Sequence, residues 1–203
     1  MTTSSPILSL RGIAKSYGQI KVLHEVDLDI YPGEVVALLG ENGAGKSTLS
    51  NIISGTVQPS AGTMSWQGQP YAPANPRAAM DAGIGMIHQE LKLLPKLSIA
   101  ENVFLGRYPM RLGRIDRKAM SERARKGLQR LGLDISPDRL VEGLSTGKQQ
   151  LIEIAKALTL NARLLVLDEP TAALGGEETQ LLFEQIARLK ADGVGIILSL
   201  IHI

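Results

Sequence analysis

The sequence predicts an α/β fold, a mostly parallel sheet covered by helices on both faces. Three observations predict it. Short apolar runs bounded by turn residues (Val35–Leu39, Gly83–Ile87, Leu164–Leu167, Val194–Leu200) alternate with segments of helical periodicity. The first run leads into Gly40-Glu41-Asn42-Gly43-Ala44-Gly45-Lys46-Ser47-Thr48 and then an amphipathic Leu49–Ile53. That is G-x-x-x-x-G-K-[ST] between a strand and a helix, the setting the motif needs. The run Leu164–Leu167 ends in Asp168-Glu169, two acids at the end of a buried strand. Such a pair is costly unless it has a cation to face.

Length and composition fit this fold. With 203 residues, 44% apolar and 21% charged, the chain can bury one substantial core and smaller subdomains. A net charge of +2 with scattered basic residues argues against a nucleic-acid face. The absence of cysteine excludes disulfide and thiolate chemistry. Met1 to Pro6 lacks the basic and apolar regions of a signal peptide. Val194 to Ile203 is about half of what a bilayer crossing requires, so any spanning helices are expected from other subunits.

Taken in order, Ile7–Leu10 and Val26–Ile30 alternate as half-buried strands with a turn at Lys15–Gly18. Pro32-Gly33 and Pro59–Gly62 punctuate the chain, and Thr63–Trp66 predicts an edge strand. Pro76–Ala82 predicts a short helix before the strand Gly83–Ile87. From Ile99 to Leu133 the pattern is mainly helical, with Ser98 capping Ile99–Leu105 and apolar spacing over Arg117–Leu131. The charges of Arg117–Lys126 suit a solvated face. A helix over Lys148–Leu158 is capped by Ser145 or Thr146, and Glu177–Ala191 is amphipathic with Leu181, Leu182, Ile186 and Leu189 inward.

The glycines of the 40–48 loop let successive amides converge on phosphate oxygens, and the following helix aims its positive end there. Lys46 then reaches the β- and γ-phosphates and Ser47 puts its hydroxyl on Mg²⁺. Asp168 is placed to hold the magnesium shell and Glu169 to polarise a water for attack on the γ-phosphate. Gln89, at the carboxyl end of its strand, is either a ligand of Mg²⁺ or of the attacking water, or a solvated loop amide. Tyr17 either stacks on an adenine face or packs on its own turn. The serine hydroxyl and Gly147 amide at the head of the helix after Leu144 form either a phosphate contact or an ordinary cap.

These motifs, in this order, resemble the ATP-binding cassette (ABC) ATPases over nearly the whole chain. The resemblance implies a phosphate-loop NTPase fold with a small antiparallel β subdomain and a helical subdomain. One domain over 1–203 is expected, lacking its C-terminal end. Its parts are 7–72 (antiparallel β plus phosphate loop), 92–158 (helical, with the signature), and 33–58, 83–91 and 160–203 (nucleotide core). It implies that Gly40 to Thr48 bind the nucleotide with Tyr17 on adenine, and that Ser47, Gln89 and Asp168 attend the metal. It makes Glu169 the catalytic base, and Ser145, Thr146, Gly147 and Lys148 the signature that meets a partner's ATP.

The phrasing GENGAGKSTL, GIGMIHQELKLLP, SIAENVFLGR and QQLIEIAKAL is similar to the first cassette of simple-sugar importers of the ribose, galactose and xylose kind. That implies ATP and Mg²⁺, a second cassette, transmembrane permease subunits and a periplasmic sugar-binding protein. It places the chain on the cytoplasmic face of the inner membrane, without nucleic acid. Rival implications are a soluble non-transport ABC ATPase and a cassette fragment that binds nucleotide without turnover. Only about 55 residues separate Gln89 from Ser145, with no heptad run, which disfavours the coiled-coil DNA-repair members.

Three positions depart from the family pattern. Lys148 stands where glutamine is commonest, and Ala172-Ala173-Leu174-Gly175 lacks the usual final aspartate. Alignment of the last strand puts Ile201 at the switch-histidine position and His202 one residue late. A one-residue slip turns a strand side chain to the other face, so the switch role does not transfer to His202. The tail LSLIHI is expected to be foreign sequence or a frame change after Ile197.

Overall fold

A computed structural model describes residues 5–200. Strands β1 (Leu8–Tyr17) and β2 (Ile20–Ile30) form an antiparallel hairpin, and β3 (Val35–Leu39) runs into the loop before helix α1 (Lys46–Ile53). Strands β4 (Ala61–Trp66) and β5 (Gln69–Pro70) follow, then α2 (Pro76–Ala82), β6 (Ile84–Ile87) and α3 (Ile99–Val103). A small hairpin, β7 (Met110–Arg111) and β8 (Arg114–Ile115), precedes helices α4 (Arg117–Arg130) and α5 (Thr146–Thr159). The chain returns through β9 (Leu164–Asp168), α6 (Gly176–Ala191) and β10 (Gly195–Leu200).

Two sheets share the load. One is antiparallel in the order β2-β1-β4-β5, and the other is wholly parallel in the order β3-β10-β9-β6. Strand β9 shows why both faces of the parallel sheet are covered. Leu164 and Val166 pack with Leu49, Ile52 and Ile53 of α1 and with Leu8, Leu10 and Ile30 of the antiparallel sheet. Leu165 and Leu167 point the other way, into a second core with Leu151 and Ile152 of α5 and Leu182 and Ile186 of α6. This is the period of two in a strand buried on both sides, and each such side chain contributes about 1.5–3 kcal/mol.

The registers level the carboxyl ends of the parallel strands. Leu200 faces Leu39, Ser199 faces Asp168, and Ile87 faces Leu167. The loop after β3, the acids at the end of β9 and the polar residues after β6 therefore leave the sheet along one edge. Two aromatics with polar tips tie the flanking helices to the antiparallel sheet: the Tyr71 hydroxyl donates to the Ile53 carbonyl (2.9 Å) and the Trp66 indole N–H to the Ala82 carbonyl (2.9 Å). Burial pushes the Tyr71 phenol well above its ordinary range.

Several expectations are corrected. Lys15–Gly18 is not a turn: β1 continues to Tyr17 and only Gly18-Gln19 turns. Bulges between Leu10 and Ser16 break the alternation that would have revealed the longer strand. Pro59–Gly62 is likewise half strand, because Ala61 pairs with Ala14, and β4 is interior because the two-residue β5 covers its outer side. The helix from Ile99 stops at Val103, and the stretch to Leu133 is interrupted by the β7–β8 hairpin, whose four residues are too short for a period to register. That hairpin also brings together arginines that composition left scattered. Helix α5 begins at Thr146, which makes Ser145 its cap. Ile201 and His202 lie outside the described residues.

Candidate nucleotide site

The loop between β3 and α1 is closed by its own lysine. Lys46 is only 8% exposed, and its ammonium donates to the Gly40 carbonyl (2.5 Å) and the Glu41 carbonyl (3.0 Å). A charge this buried needs such acceptors. Gly43 and Gly45 have φ of +88° and +93°, and Ala44 N–H returns to the Glu41 carbonyl (3.1 Å), which curls the loop around the ammonium. Gly45 caps α1 without a side-chain bond, so the first-turn amides are not claimed by a cap.

The acids lie alongside. The Ser47 hydroxyl donates to Asp168 Oδ1 at 3.2 Å, across 121 positions of sequence. The Ser199 hydroxyl on β10 donates to the same oxygen and accepts from the Glu169 N–H (3.1 Å). Glu169 itself has a φ of +47°, a left-handed conformation that costs a non-glycine residue about 1–2 kcal/mol. The chain leaves β9 there, and Glu169 joins Asn42, Gly43, Gly45, Lys46, Ser47, Thr48, Gln89 and Val22 around one open depression. Val22, on β2, carried no signal in the sequence.

Beyond Ile87 the residues after β6 face two ways. Gln89 lines the depression, whereas His88 and Glu90 line a separate groove with Met80, Met86, Glu153 and Lys156. Burial holds His88 below the usual imidazole range, with Lys92 adding to the effect and Asp168 opposing it.

Tyr17 and the residues 145–148 are not in the lining of the depression. Tyr17 is 50% exposed at the tip of the β1–β2 hairpin, with the Lys15 ammonium 5.0 Å from its ring centre. Ser145 caps α5, its hydroxyl accepting from the Lys148 amide at 3.5 Å. The Gly147 amide donates to Glu178 of α6 at 3.2 Å. Hydrogen bonds from the Ser145 hydroxyl and from the Gly147 amide, with a smaller one from Gly175, hold the Glu178 carboxyl below its ordinary range. Glu178 at the third position of a helix was legible as a first-turn acid, but its contact with Gly147 was not.

The residues present suit a phosphate chain and a magnesium ion carried on it. A buried ammonium, a coil of free amides and a serine–aspartate pair converge on one mouth. Among the described residues no group of three or more His, Asp or Glu could hold a metal unaided. Mg²⁺ is ordinarily held by one or two protein groups with the rest supplied by phosphate and water.

Comparison with known proteins agrees with this geometry. The ABC transporter family profile matches residues 23–172. The chain belongs to the ABC transporter family. Among curated relatives, the ribose import ATP-binding protein RbsA of Caldanaerobacter subterraneus subsp. tengcongensis is 51% identical over 193 residues, covering 95% of this chain and 39% of that protein. RbsA 1 of Streptomyces coelicolor is 49% identical over 197 residues, covering 97% and 39%. The chain thus spans about two fifths of the length of these relatives. In structure, the cassette resembles MJ1267, an ATP-binding cassette of an ABC transporter solved in its ADP conformation. The TM-score is 0.83 at 28% identity, over 98% of this chain and 82% of that one. It also resembles the dimeric ATP-binding cassette MJ0796 bound to ADP and Pi, with a TM-score of 0.78 at 27% identity, over 97% and 88%. Among the described residues no helix is long and apolar enough to cross a membrane.

Proposed function

We propose that this cassette binds Mg-ATP in the depression between α1 and β9 and, paired with a second cassette, hydrolyses it to drive import of a simple sugar. The observation that carries the reading is the 3.2 Å approach of Ser47 to Asp168, which seats the phosphate loop directly beside the strand-end acids. Lys46 and the amides of Gly43 and of Gly45 to Thr48 hold the β- and γ-phosphates, with Gly40, Glu41 and Ala44 shaping the loop. Ser47, Asp168 and Gln89 attend the magnesium, which when bound neutralises charge that develops on the phosphates. Glu169, turned out of the strand by its backbone, orients water for in-line attack.

Tyr17 and Val22 on the β1–β2 hairpin flank the base. At the head of α5 Ser145 and Lys148 are exposed, Thr146 is half-buried and Gly147 is covered by Glu178; with Glu178 displaced, these four residues meet a nucleotide held by the other cassette. The sugar assignment rests on the relatives that are named ribose import proteins. It carries with it permease subunits, a periplasmic binding protein and a peripheral place on the cytoplasmic side of the membrane.

Single-turnover hydrolysis tests this. The isolated chain, holding only half of each composite site, should bind Mg-ATP and turn it over slowly, and Glu169→Gln should bind equally but stall. Brisk turnover by the isolated chain, or turnover that survives Glu169→Gln, would overturn the assignment. Reconstitution of the full protein with its permease in vesicles should give ATP-dependent ribose uptake.

A further inference from the structure

The β7–β8 hairpin is built at odds with its own turn. Its two central residues, Leu112 and Gly113, both have positive φ (+50° and +76°), the geometry of a two-residue type I′ turn. Asparagine, aspartate or glycine is favoured at the first of these positions, and a leucine there is strained. The side chain gains nothing from packing in exchange: Leu112 is 95% exposed, with Met110 and Ile115 exposed beside it. The hairpin is nonetheless firmly based. Tyr108 packs against the main core, the Asp116 amide donates to the Pro109 carbonyl (2.8 Å), and the Asp116 carboxylate accepts from Ala119 N–H to cap α4.

The charge around this tip has one sign. Residues 107–118 contain five basic side chains (Arg107, Arg111, Arg114, Arg117, Lys118) and the single acid Asp116. Arg107 is paired with Asp81 and Arg117 with Glu101. Among the described residues Arg111, Arg114 and Lys118 form no ion pair.

We propose that this hairpin is a membrane-contacting wedge, with Leu112, Met110 and Ile115 entering the interfacial layer of an anionic bilayer while Arg111, Arg114 and Lys118 meet its phosphate headgroups. An apolar protrusion flanked by two guanidinium groups, with an ammonium at the start of α4, matches the two-part chemistry of that layer, apolar below and anionic above. The inference goes beyond the proposed function, because it gives this chain a direct lipid contact and needs neither nucleotide nor permease.

Co-sedimentation tests it with the full chain and vesicles of equal parts phosphatidylglycerol and phosphatidylcholine, against phosphatidylcholine alone. The chain should partition onto the anionic vesicles and be released by salt. Arg114→Gln should weaken partitioning about fivefold, the worth of one basic residue at such a surface. Leu112→Asn should weaken it roughly tenfold or more, and at the same time raise the melting temperature, because asparagine suits the turn. This pairing of opposite effects excludes simple misfolding. Equal affinity for both vesicle types, or Leu112→Asn partitioning like wild type, would overturn the proposal. So would capture by polyglutamate without vesicle binding, which would assign the face to an acidic protein. Mg-ATP binding measured on the same samples separates failure of the wedge from failure of the nucleotide site.

Discussion

Replacing Gly45 by alanine probes the loop where its geometry is least forgiving. A Cβ at this position would lie 2.6 Å from Leu23 Cδ2 and 3.0 Å from the Val22 carbonyl oxygen, with φ at +93°. The backbone conformation costs an L-residue about 1–2 kcal/mol, and forcing a methyl against the buried Leu23 adds about 1–3 kcal/mol. The sum, about 2–5 kcal/mol, is a large share of the roughly 5–15 kcal/mol that holds a typical domain together. For a chain of this size it corresponds to a melting temperature lowered by about 4–20 °C. Gly43→Ala is the internal control: its φ is +88° but nothing lies within 4 Å of the added carbon, so only the backbone part applies. Calorimetric melting of both variants, with Mg-ATP titrations on each, reads the two effects. Gly45→Ala should melt below Gly43→Ala, or escape the clash by shifting Lys46 and lose nucleotide affinity instead. Equal melting and equal affinity in the two variants would refute the packing argument.

Two further outcomes follow from the groups around the site. His88 is held below its free value of 6.5 by burial first and Lys92 second. The unfolded chain therefore binds the extra proton more readily, so stability is full above about pH 6.5 and falls as pH drops toward the lower folded value. Melting followed from pH 7 to pH 5 should lose a component that His88→Gln lacks, and identical pH profiles would contradict the assignment. Glu178→Ala should speed hydrogen exchange of the Gly147 amide, since Glu178 is its acceptor at 3.2 Å. Unchanged exchange would mean that the contact does not tether the head of α5.

Much of this was legible in the sequence because local pattern and tertiary place agree. Val35–Leu39 into the glycine loop, and Leu164–Leu167 into Asp168-Glu169, each carry their strand, their turn and their chemistry within ten or so residues. Ser98 and Glu101 form a reciprocal cap that the serine announced. What was hidden depends on irregularity or distance. The bulges of β1 erase its period, so that Lys15–Tyr17 looked like a turn. The left-handed Glu169 and the hairpin tip at Leu112 use residue types that disguise a positive φ. Val22, Ser199 and Glu178 reach the site or the head of α5 across long separations that no spacing records.

Isothermal titration of Mg-ATP into wild-type chain and Lys46→Ala, with melting curves to show that both are folded, tests most directly whether the ammonium turned onto Gly40 and Glu41 is the group that takes up phosphate. Removing a charge-assisted contact of this kind should weaken binding by about 10- to 100-fold. Wild-type affinity in a folded Lys46→Ala would mean that the nucleotide sits somewhere else.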